Sequence, residues 1–270
     1  MQKHTLPTYF VSHGGGPWPW MQAENGGMYD KLAASLQDIR ARVKVPLQAI
    51  LMVSGHWEAD RYLLSSAANP GMLYDYFGFP PHTYEIQYRA PGHPQLAANI
   101  ASMLVKAGFD AGTDLHRGFD HGTFSVMQVM HPEADVPVVQ LSINTNYDPG
   151  QHIGVGRVLA PLRDQGVLIV GSGLSYHNLR QMRSQAGVEA SAAFDEWLQE
   201  TLLDSDPQER YERLLRWSEA PSARAAHPRE DHLLPLMVAV GAAWSEPARM
   251  IYQQSDFMGG ISVSSYCFGS

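Results

Sequence analysis

The sequence contains very little cysteine, no excess of basic residues and no long apolar run. Cys267 is the single cysteine of the 270 residues, so the chain can form neither an intrachain disulfide framework nor a thiolate-based zinc or iron–sulfur centre. The 27 acidic side chains outnumber the 19 basic ones, which argues against nucleic-acid binding and against attachment to an anionic membrane. Because neither an apolar run of ~20 residues nor a basic-then-apolar leader is visible, we expect a cytoplasmic protein.

Short apolar runs alternate with segments of helical spacing, which predicts an α/β fold. We expect a single domain over residues 1–270 with a mostly parallel central sheet flanked by helices. The predicted strands are 8–11, 49–53, 136–143, 167–170, 249–255 and 261–268. The predicted helices are 28–45, one that begins at Pro94, 153–162, 189–204, 207–218 and 232–244. Ligands of open α/β sheets bind beyond the carboxyl ends of the strands, so the active site is expected there.

The 12 histidines are the most unusual feature of the composition. His13, His56 and His177 each follow a predicted buried strand and have a glycine close by, and parallel strands would bring all three to one rim of the sheet. Any metal at this rim would be bound by imidazole and carboxylate groups rather than by thiolate. Six other histidines are expected to be solvated, with His82 a candidate to face a pocket: His4, His82, His93, His116, His131 and His152.

Two further histidine blocks precede predicted helices. In one of them Asp120 comes directly before His121. In the other, the block 227–232 combines two imidazoles with two carboxylates. A helix start accounts for His227 and for the carboxylates, but a cationic His232 would be disfavoured near a helix N-terminus. A neutral imidazole that binds a metal is compatible with that position.

The segment 69–93 is rich in proline and in aromatic residues, and two interpretations of it stand side by side. It is either a lid or pocket wall, or a rigid surface excursion that packs its own rings. The run that follows the first strand, from His13 to Gly16, resembles the oxyanion loop of lipases and esterases. However, the chain has no G-x-S-x-G nucleophile motif. The pair Gly154 and Gly156 lacks the third glycine of a dinucleotide-binding motif.

A set of short motifs runs in order along nearly the whole chain. They are Ser12-His13-Gly14, Ser54-Gly55-His56-Trp57, Tyr74-Asp75-Tyr76-Phe77-Gly78-Phe79-Pro80, Gly118-Phe119-Asp120-His121-Gly122, Val139-Gln140-Leu141-Ser142-Ile143, Ser172-Gly173, His177-Asn178-Leu179 and His232-Leu233-Leu234-Pro235-Leu236. This set resembles the class III extradiol ring-cleavage dioxygenases of the protocatechuate-4,5-dioxygenase type, and within them the 4,5-DOPA dioxygenase branch. The resemblance implies a non-haem Fe(II) enzyme that cleaves a catechol ring beside its two hydroxyl groups with O₂.

The resemblance also implies roles for individual residues. His13 and His56 match two histidine ligands of the family metal, and His232 matches the histidine that the DOPA branch has where protocatechuate enzymes have glutamate. His177 corresponds to the acid/base histidine of the family and is a candidate fourth ligand when substrate is absent. His121 corresponds to a second histidine of the pocket.

Residues beside these histidines are candidates for contacts with the substrate. We expect Asp120 to orient His121, and Tyr74 and Phe77 to line an apolar wall for the aromatic ring. The predicted partners are a small aromatic diol and O₂, with neither nucleic acid nor membrane. Three arginines are candidates to bind a carboxylate of the substrate: Arg89, Arg180 and Arg229.

Alternatives remain at this point for the metal and for the reaction. Glu230 or Asp231 could complete a two-histidine, one-carboxylate site of the kind that non-haem iron oxygenases use. Ligation by imidazole alone also suits Zn²⁺. The same histidines could then activate water in a zinc-dependent hydrolase, or the chain could be a non-catalytic binding protein with this fold.

Overall fold

The computed structural model describes residues 5–269, so the expectation for His4 lies outside the described residues. These residues form one sheet of eight strands in the order β4-β3-β5-β2-β6-β1-β8-β7. The strands are β1 Thr8–Ser12, β2 Ala49–Ala59, β3 Tyr62–Ser65, β4 Ala111–Asp114, β5 Val138–Asn144, β6 Val167–Gly173, β7 Ala248–Phe257 and β8 Ile261–Phe268.

The four central strands, β5, β2, β6 and β1, are parallel to one another. Antiparallel pairing occurs only toward the two sides of the described sheet, between β3 and β5 and along β1, β8 and β7. Every residue of β1, β5 and β6 is buried, as expected for strands that are covered on both faces. The predicted α/β fold with a mostly parallel sheet is therefore confirmed.

Helices cover both faces of this sheet. They are α1 Gln22–Asn25, α2 Asp30–Arg42, α3 Pro94–Lys106, α4 His121–Met130, α5 Pro149–Leu159, α6 Gln185–Gln199, α7 Pro207–Leu215, α8 Ala223–Ala226 and α9 Leu234–Ala242. Several of them start at a proline that follows a capping side chain, as α5 does after Asp148 and α7 after Asp206. No helix among residues 5–269 is both long enough and apolar enough to cross a bilayer.

The alternating side chains of β6 show which helix lies on which face. A Cβ atom added to Gly171 would lie 2.3 Å from the carbonyl oxygen of Pro235 in α9. The hydroxyl of Ser172, one residue further, points the other way and donates to the carbonyl of Gly122 in α4 at 2.5 Å. Successive residues of a strand face opposite sides, so α4 and α9 pack on opposite faces of the sheet.

The structure differs from the predicted elements in a few places. The short strands β3 and β4 are not predicted from the sequence, and β2 continues to Ala59 instead of stopping near His56. The segment 69–93 contains one 3₁₀ turn, Pro81–Tyr84, as its only named element. His93 caps α3 by accepting from the backbone N–H of Leu96.

His152 is fully buried, so the prediction that it is solvated is wrong. Its Nδ1–H donates to the carbonyl of Asp148 (2.7 Å), and its Nε2 accepts from the backbone N–H of Asn144 (3.1 Å). Because both ring nitrogens have partners, a neutral histidine fits this interior position.

Candidate active site

His13 lies directly after β1 at the carboxyl end of the parallel strands. Its backbone N–H donates to the carbonyl of Gly173 at the end of β6, so the two neighbouring strands hold it in place (3.0 Å). The side chain is 2% exposed, and its Nδ1 lies 2.7 Å from the carbonyl oxygen of Gly14. Because a carbonyl oxygen only accepts, Nδ1 carries the proton.

His56 lies within β2, where the strand leaves the regular ladder. Register with β5 is lost between Val53 and Glu58 and then resumes, so the intervening residues form a bulge. The bulge turns the His56 ring toward His13, and its Nδ1 lies 3.2 Å from a carboxylate oxygen of Asp75. The sequence predicted that the second strand would end near His56. In the structure the strand continues, and its bulge positions the histidine.

His232 lies in the turn that precedes α9 and is 2% exposed. Its Nδ1 lies 2.7 Å from Oδ2 of Asp231, the residue before it. The turn packs directly on the sheet, since a Cβ atom at Gly173 would lie 2.1 Å from the carbonyl oxygen of His232. Glycine at position 173 is therefore required for the backbone of His232 to approach β6 this closely.

The Nε2 atoms of these three histidines face one another. Nε2 of His56 lies 3.3 Å from Nε2 of His13 and 3.1 Å from Nε2 of His232. Each Nδ1–H is already donated to a carbonyl or carboxylate oxygen, and a neutral imidazole has only one N–H. When all three rings are neutral, each Nε2 therefore carries a lone pair, and lone pairs this close repel one another unless a cation lies between them.

A metal ion satisfies this arrangement. Two nitrogens bound to one ion at about 2.1 Å lie roughly 3.0–3.4 Å apart, which matches the two observed spacings. Burial, followed by the neighbouring imidazoles, holds the pKa of His13 and of His232 well below the usual range, so both rings are neutral. Burial also acts to lower the pKa of His56, but its hydrogen bond to Asp75 and the nearby carboxylates raise that pKa instead. The residues present fit a metal held by imidazole nitrogens.

His121 is the first residue of α4 and stands beside this cluster. Its ring centroid lies 3.9 Å from that of His56, and its Nδ1 and backbone N–H both donate to Oδ1 of Asp75, at 2.8 and 3.0 Å. Burial and the charge of His56 lower the pKa of His121, so the ring is neutral with a free lone pair on Nε2. One carboxylate, Asp75, therefore orients both His56 and His121.

Asp75 is a candidate site residue that sequence reasoning missed. Its side chain is 16% exposed, and burial alone would raise its pKa. The hydrogen bonds from His121 and His56 outweigh burial and hold the pKa well below its usual range, so the group is a carboxylate. The available signal was its place as the single carboxylate in the aromatic motif 74–80.

His177 stacks on His232 from the other side of the cluster. The ring centroids are 3.3 Å apart with an interplanar angle of 14°, and Nδ1 of His177 lies 3.8 Å from Oδ2 of Asp231. Burial, with smaller contributions from neighbouring histidines, lowers the pKa of His177 to about 3. This environment therefore keeps the ring neutral.

The five predicted histidines come together in two adjoining groups. Ligand atoms of His13, His56 and His121 lie within 4.8 Å of one another, and so do those of His177, Asp231 and His232. The two groups join through the 3.1 Å contact between His56 and His232. The rim of the parallel strands therefore carries one continuous cluster.

The candidate carboxylates of the block 227–232 have other partners. Glu230 pairs with Arg224 at 2.7 Å, and Asp231 accepts from the Nδ1–H of His232. His227 follows α8 and is fully buried, with its Nε2 2.9 Å from the carbonyl of Ser175. His227 therefore ends α8 and does not start α9. Asp231 accepts the Nδ1–H of His232 on the side of the ring away from Nε2.

Two of the expected substrate contacts, Asp120 and Tyr74, have internal partners instead. Asp120 is fully buried and caps α4, and its carboxylate binds Arg117 (2.7 Å) and the hydroxyl of Ser54 (2.8 Å), so Asp75 and not Asp120 orients His121. The hydroxyl of Tyr74 donates to the carbonyl of Ile86 (2.7 Å). Neither side chain lines the cavity beside the histidines, because both are committed to internal contacts.

That cavity has a volume of about 330 Å³ and an aromatic and aliphatic wall. Phe77, the third expected contact, does line it and is 93% exposed. Together with His13, His56, His121 and His177, the main lining side chains are Asp75, Tyr76, Phe77, Phe79, Leu174, Leu179, Met182 and Met258. The cavity therefore combines a flat apolar wall with imidazoles at its base, as a small aromatic ligand requires.

Comparisons with known proteins agree with this arrangement. A family model described as the catalytic LigB subunit of aromatic ring-opening dioxygenase matches residues 7–269. A 4,5-DOPA dioxygenase extradiol of Beta vulgaris is 39% identical over 270 residues, covering 97% of this chain and 96% of that protein. Another from Escherichia coli (strain K12) is 30% identical and covers 100% of this chain and 97% of its own length.

Two further relatives extend the likeness. The dioxygenase tasH of Hapsidospora irregularis is 36% identical, with 97% of this chain and 85% of that protein covered. The crystal structure of an uncharacterized protein from Escherichia coli K12 superposes with a TM-score of 0.77 at 28% identity, covering 98% of this chain and 100% of that one. These matches confirm the predicted enzyme class, an extradiol ring-cleavage dioxygenase that acts on an aromatic substrate with O₂. The chain thus belongs to the family of the catalytic LigB subunit of aromatic ring-opening dioxygenases.

Proposed function

We propose that the enzyme cleaves the ring of a catechol beside its two hydroxyl groups, with Fe(II) held by His13, His56 and His232. The observation that carries this assignment is the convergence of three Nε2 lone pairs whose Nδ1 hydrogens are all donated elsewhere. Three imidazole ligands leave positions at the ion for both catechol oxygens and for O₂. Zinc suits the same donors, so iron is the proposed metal on the ground that ring cleavage needs a redox-active ion.

The bound metal would supply activation of O₂ and polarisation of the catechol hydroxyl groups. The chain's own residues manage the protons. His177 is neutral because burial lowers its pKa, so its ring nitrogen can accept a proton from a substrate hydroxyl and return it later to the oxygen that leaves. We therefore propose the acid/base role for His177.

His121 supports that step from the opposite side. Because Asp75 fixes the proton on Nδ1, the Nε2 of His121 can only accept a hydrogen bond while the ring is neutral. We propose that it accepts a hydrogen bond from a substrate hydroxyl or contacts O₂. Phe77, Tyr76 and Phe79 provide the apolar wall against which the aromatic ring lies and from which water is excluded.

The names of the relatives suggest the first substrate to test, which is L-DOPA. The protein is loaded with Fe(II) without oxygen and mixed with a panel of catechols in aerated buffer. We expect one O₂ to be consumed for each molecule of yellow ring-opened semialdehyde formed. If iron is shown to be bound and no catechol in a broad panel consumes oxygen, the proposal is wrong.

A single variant separates this proposal from its rivals. His177→Ala is expected to lose turnover of the catechol while it keeps most of its metal, and His116→Ala, which removes an exposed histidine, serves as the matched control. A non-catalytic binding protein would be indifferent to His177→Ala. Activity that persists with Zn²⁺ in the absence of oxygen would instead favour a hydrolase. The cytoplasm remains the proposed location, and fractionation of cells tests it.

A further inference from the structure

A second cavity, of about 600 Å³, opens beside the first one. It is lined by His177, Asn178, Leu179, Arg180, Gln181, Pro228, Arg229 and Asp231. We call it the outer cavity, and the one beside the metal-binding histidines the inner cavity. His177 and Leu179 line both, so the two spaces adjoin along this short segment.

The inner cavity has no cation to pair with an acidic substrate. None of the described residues that line it is a lysine or an arginine, and its one carboxylate is Asp75. A carboxylate attached directly to the substrate ring would stand near Asp75 and the apolar wall. Burial of an unpaired charge in such surroundings is costly, so the inner cavity disfavours a ring carboxylate.

The outer cavity provides the missing positive charge, and one of its two arginines is uncommitted. Arg229 pairs with Glu58 and lies over the ring of Tyr147, with the Tyr147 hydroxyl 3.2 Å away. Arg180 is exposed and forms neither an ion pair nor a hydrogen bond with any residue in the range 5–269. Arg89, the third candidate in the sequence, lines neither cavity. Arg180 is therefore the cation that is available to a ligand.

We infer that Arg180 binds the anionic group of the substrate and that the outer cavity is the subsite for the substrate's side chain. The inference rests on the proposed function, because the ring must lie in the inner cavity for the side chain to extend past Leu179. The favoured substrates are catechols that carry a carboxylate on a flexible side chain. Catechols with the carboxylate on the ring itself are disfavoured.

Steady-state kinetics with the iron-loaded enzyme test this specificity. The substrates are 3,4-dihydroxyphenylpropionate, which is anionic, 4-methylcatechol, which is neutral, protocatechuate, which has a ring carboxylate, and dopamine, which is cationic. In Arg180→Gln we expect kcat/KM for the propionate to fall about 10-fold, through KM, while kcat and the values for 4-methylcatechol stay unchanged. Arg180→Glu is expected to favour dopamine over the propionate. Arg89→Gln is the matched control and leaves the preference intact.

The outcomes separate this inference from the proposed function. Turnover of 4-methylcatechol by the wild type supports the function whatever the role of Arg180. The inference is overturned if Arg180→Gln lowers kcat/KM equally for the anionic and the neutral substrate, or if Arg89→Gln and not Arg180→Gln loses the preference. Calorimetric binding of 3-phenylpropionate against 3-phenylpropanol gives a readout without turnover. The wild type should prefer the anion and Arg180→Gln should not, and equal preferences in both would also refute it.

Discussion

Asp75→Asn changes one atom of the side chain that orients two histidines. The carboxylate accepts from Nδ1–H and N–H of His121 through one oxygen and from Nδ1–H of His56 through the other. The amide has one oxygen, so its NH₂ group must face an N–H on one side. If it faces His56, that ring can avoid the clash only by moving its proton to Nε2, the atom needed for the metal.

The expected loss follows from this change of tautomer. Carboxylates that hold a ligating histidine typically contribute 10- to 100-fold to metal affinity, or about 1.4–2.8 kcal/mol. We therefore expect Asp75→Asn to weaken Fe(II) binding by that factor, measured without oxygen by competition with a coloured chelator. Asp231→Asn should lose a similar amount, because Asp231 holds the Nδ1–H of His232 in the same way.

A matched control separates this effect from a general loss of negative charge. Asp60 is an exposed aspartate whose backbone carbonyl, not its carboxylate, accepts a hydrogen bond, so Asp60→Asn should bind metal as the wild type does. Far-ultraviolet circular dichroism checks that each variant is folded. A metal dissociation constant for folded Asp75→Asn within twofold of the wild type would refute the argument from tautomers.

Three further predictions concern packing, the cavity wall and pH. Gly173→Ala should lower metal occupancy sharply, because the new methyl group would lie 2.1 Å from the His232 carbonyl; unchanged occupancy by metal analysis would show that the turn can move freely. Phe77→Ala should leave the melting temperature unchanged, since the residue is 93% exposed. It should raise KM for catechols about 5- to 30-fold, because ~1–2 kcal/mol of apolar contact with the substrate is lost. An unchanged KM would show that Phe77 is not part of the substrate wall. Burial lowers the pKa of His152 to about 4, so its ring takes up a proton at higher pH in the unfolded chain than in the folded one. This difference contributes about 3 kcal/mol to the free energy of unfolding above pH ~6.5, and the contribution is lost as the pH falls to about 4. Urea unfolding should show a shallower acid dependence in His152→Gln, and equal slopes would contradict this.

The fold class and the identity of the central histidines could be predicted from the sequence. Buried parallel strands have continuous apolar runs, and their carboxyl ends share one rim, so a histidine after β1 and another after β6 are expected to converge. His13 and His177 illustrate this directly. His121 and His232 lie at helix starts and have no strand pattern to mark them. The histidine and carboxylate blocks ahead of two predicted helices pointed to them, and the motif resemblance implied their roles.

The contacts between elements could not be predicted in this way. Asp75 reaches His56 and His121 because the irregular segment 69–93 passes over the rim, and no periodicity encodes that path. Asp120 was the expected partner of His121 because it is adjacent in sequence, yet its carboxylate turns inward to cap α4. The burial of His152 likewise depends on a partner N–H, that of Asn144, which only the tertiary structure supplies.

The position of β1 has a consequence for the biosynthesis of the enzyme. Thr8 pairs with Ile169 on one side and with Phe268 on the other, so the strand that carries His13 at its end completes its ladder only when the last strand arrives. His232 is also made late, after the other two proposed ligands have long left the ribosome. A chain that stops short of these residues can offer His13 and His56 but not the full set of nitrogens. Firm retention of metal therefore marks a polypeptide that has been synthesised through β8 and has folded.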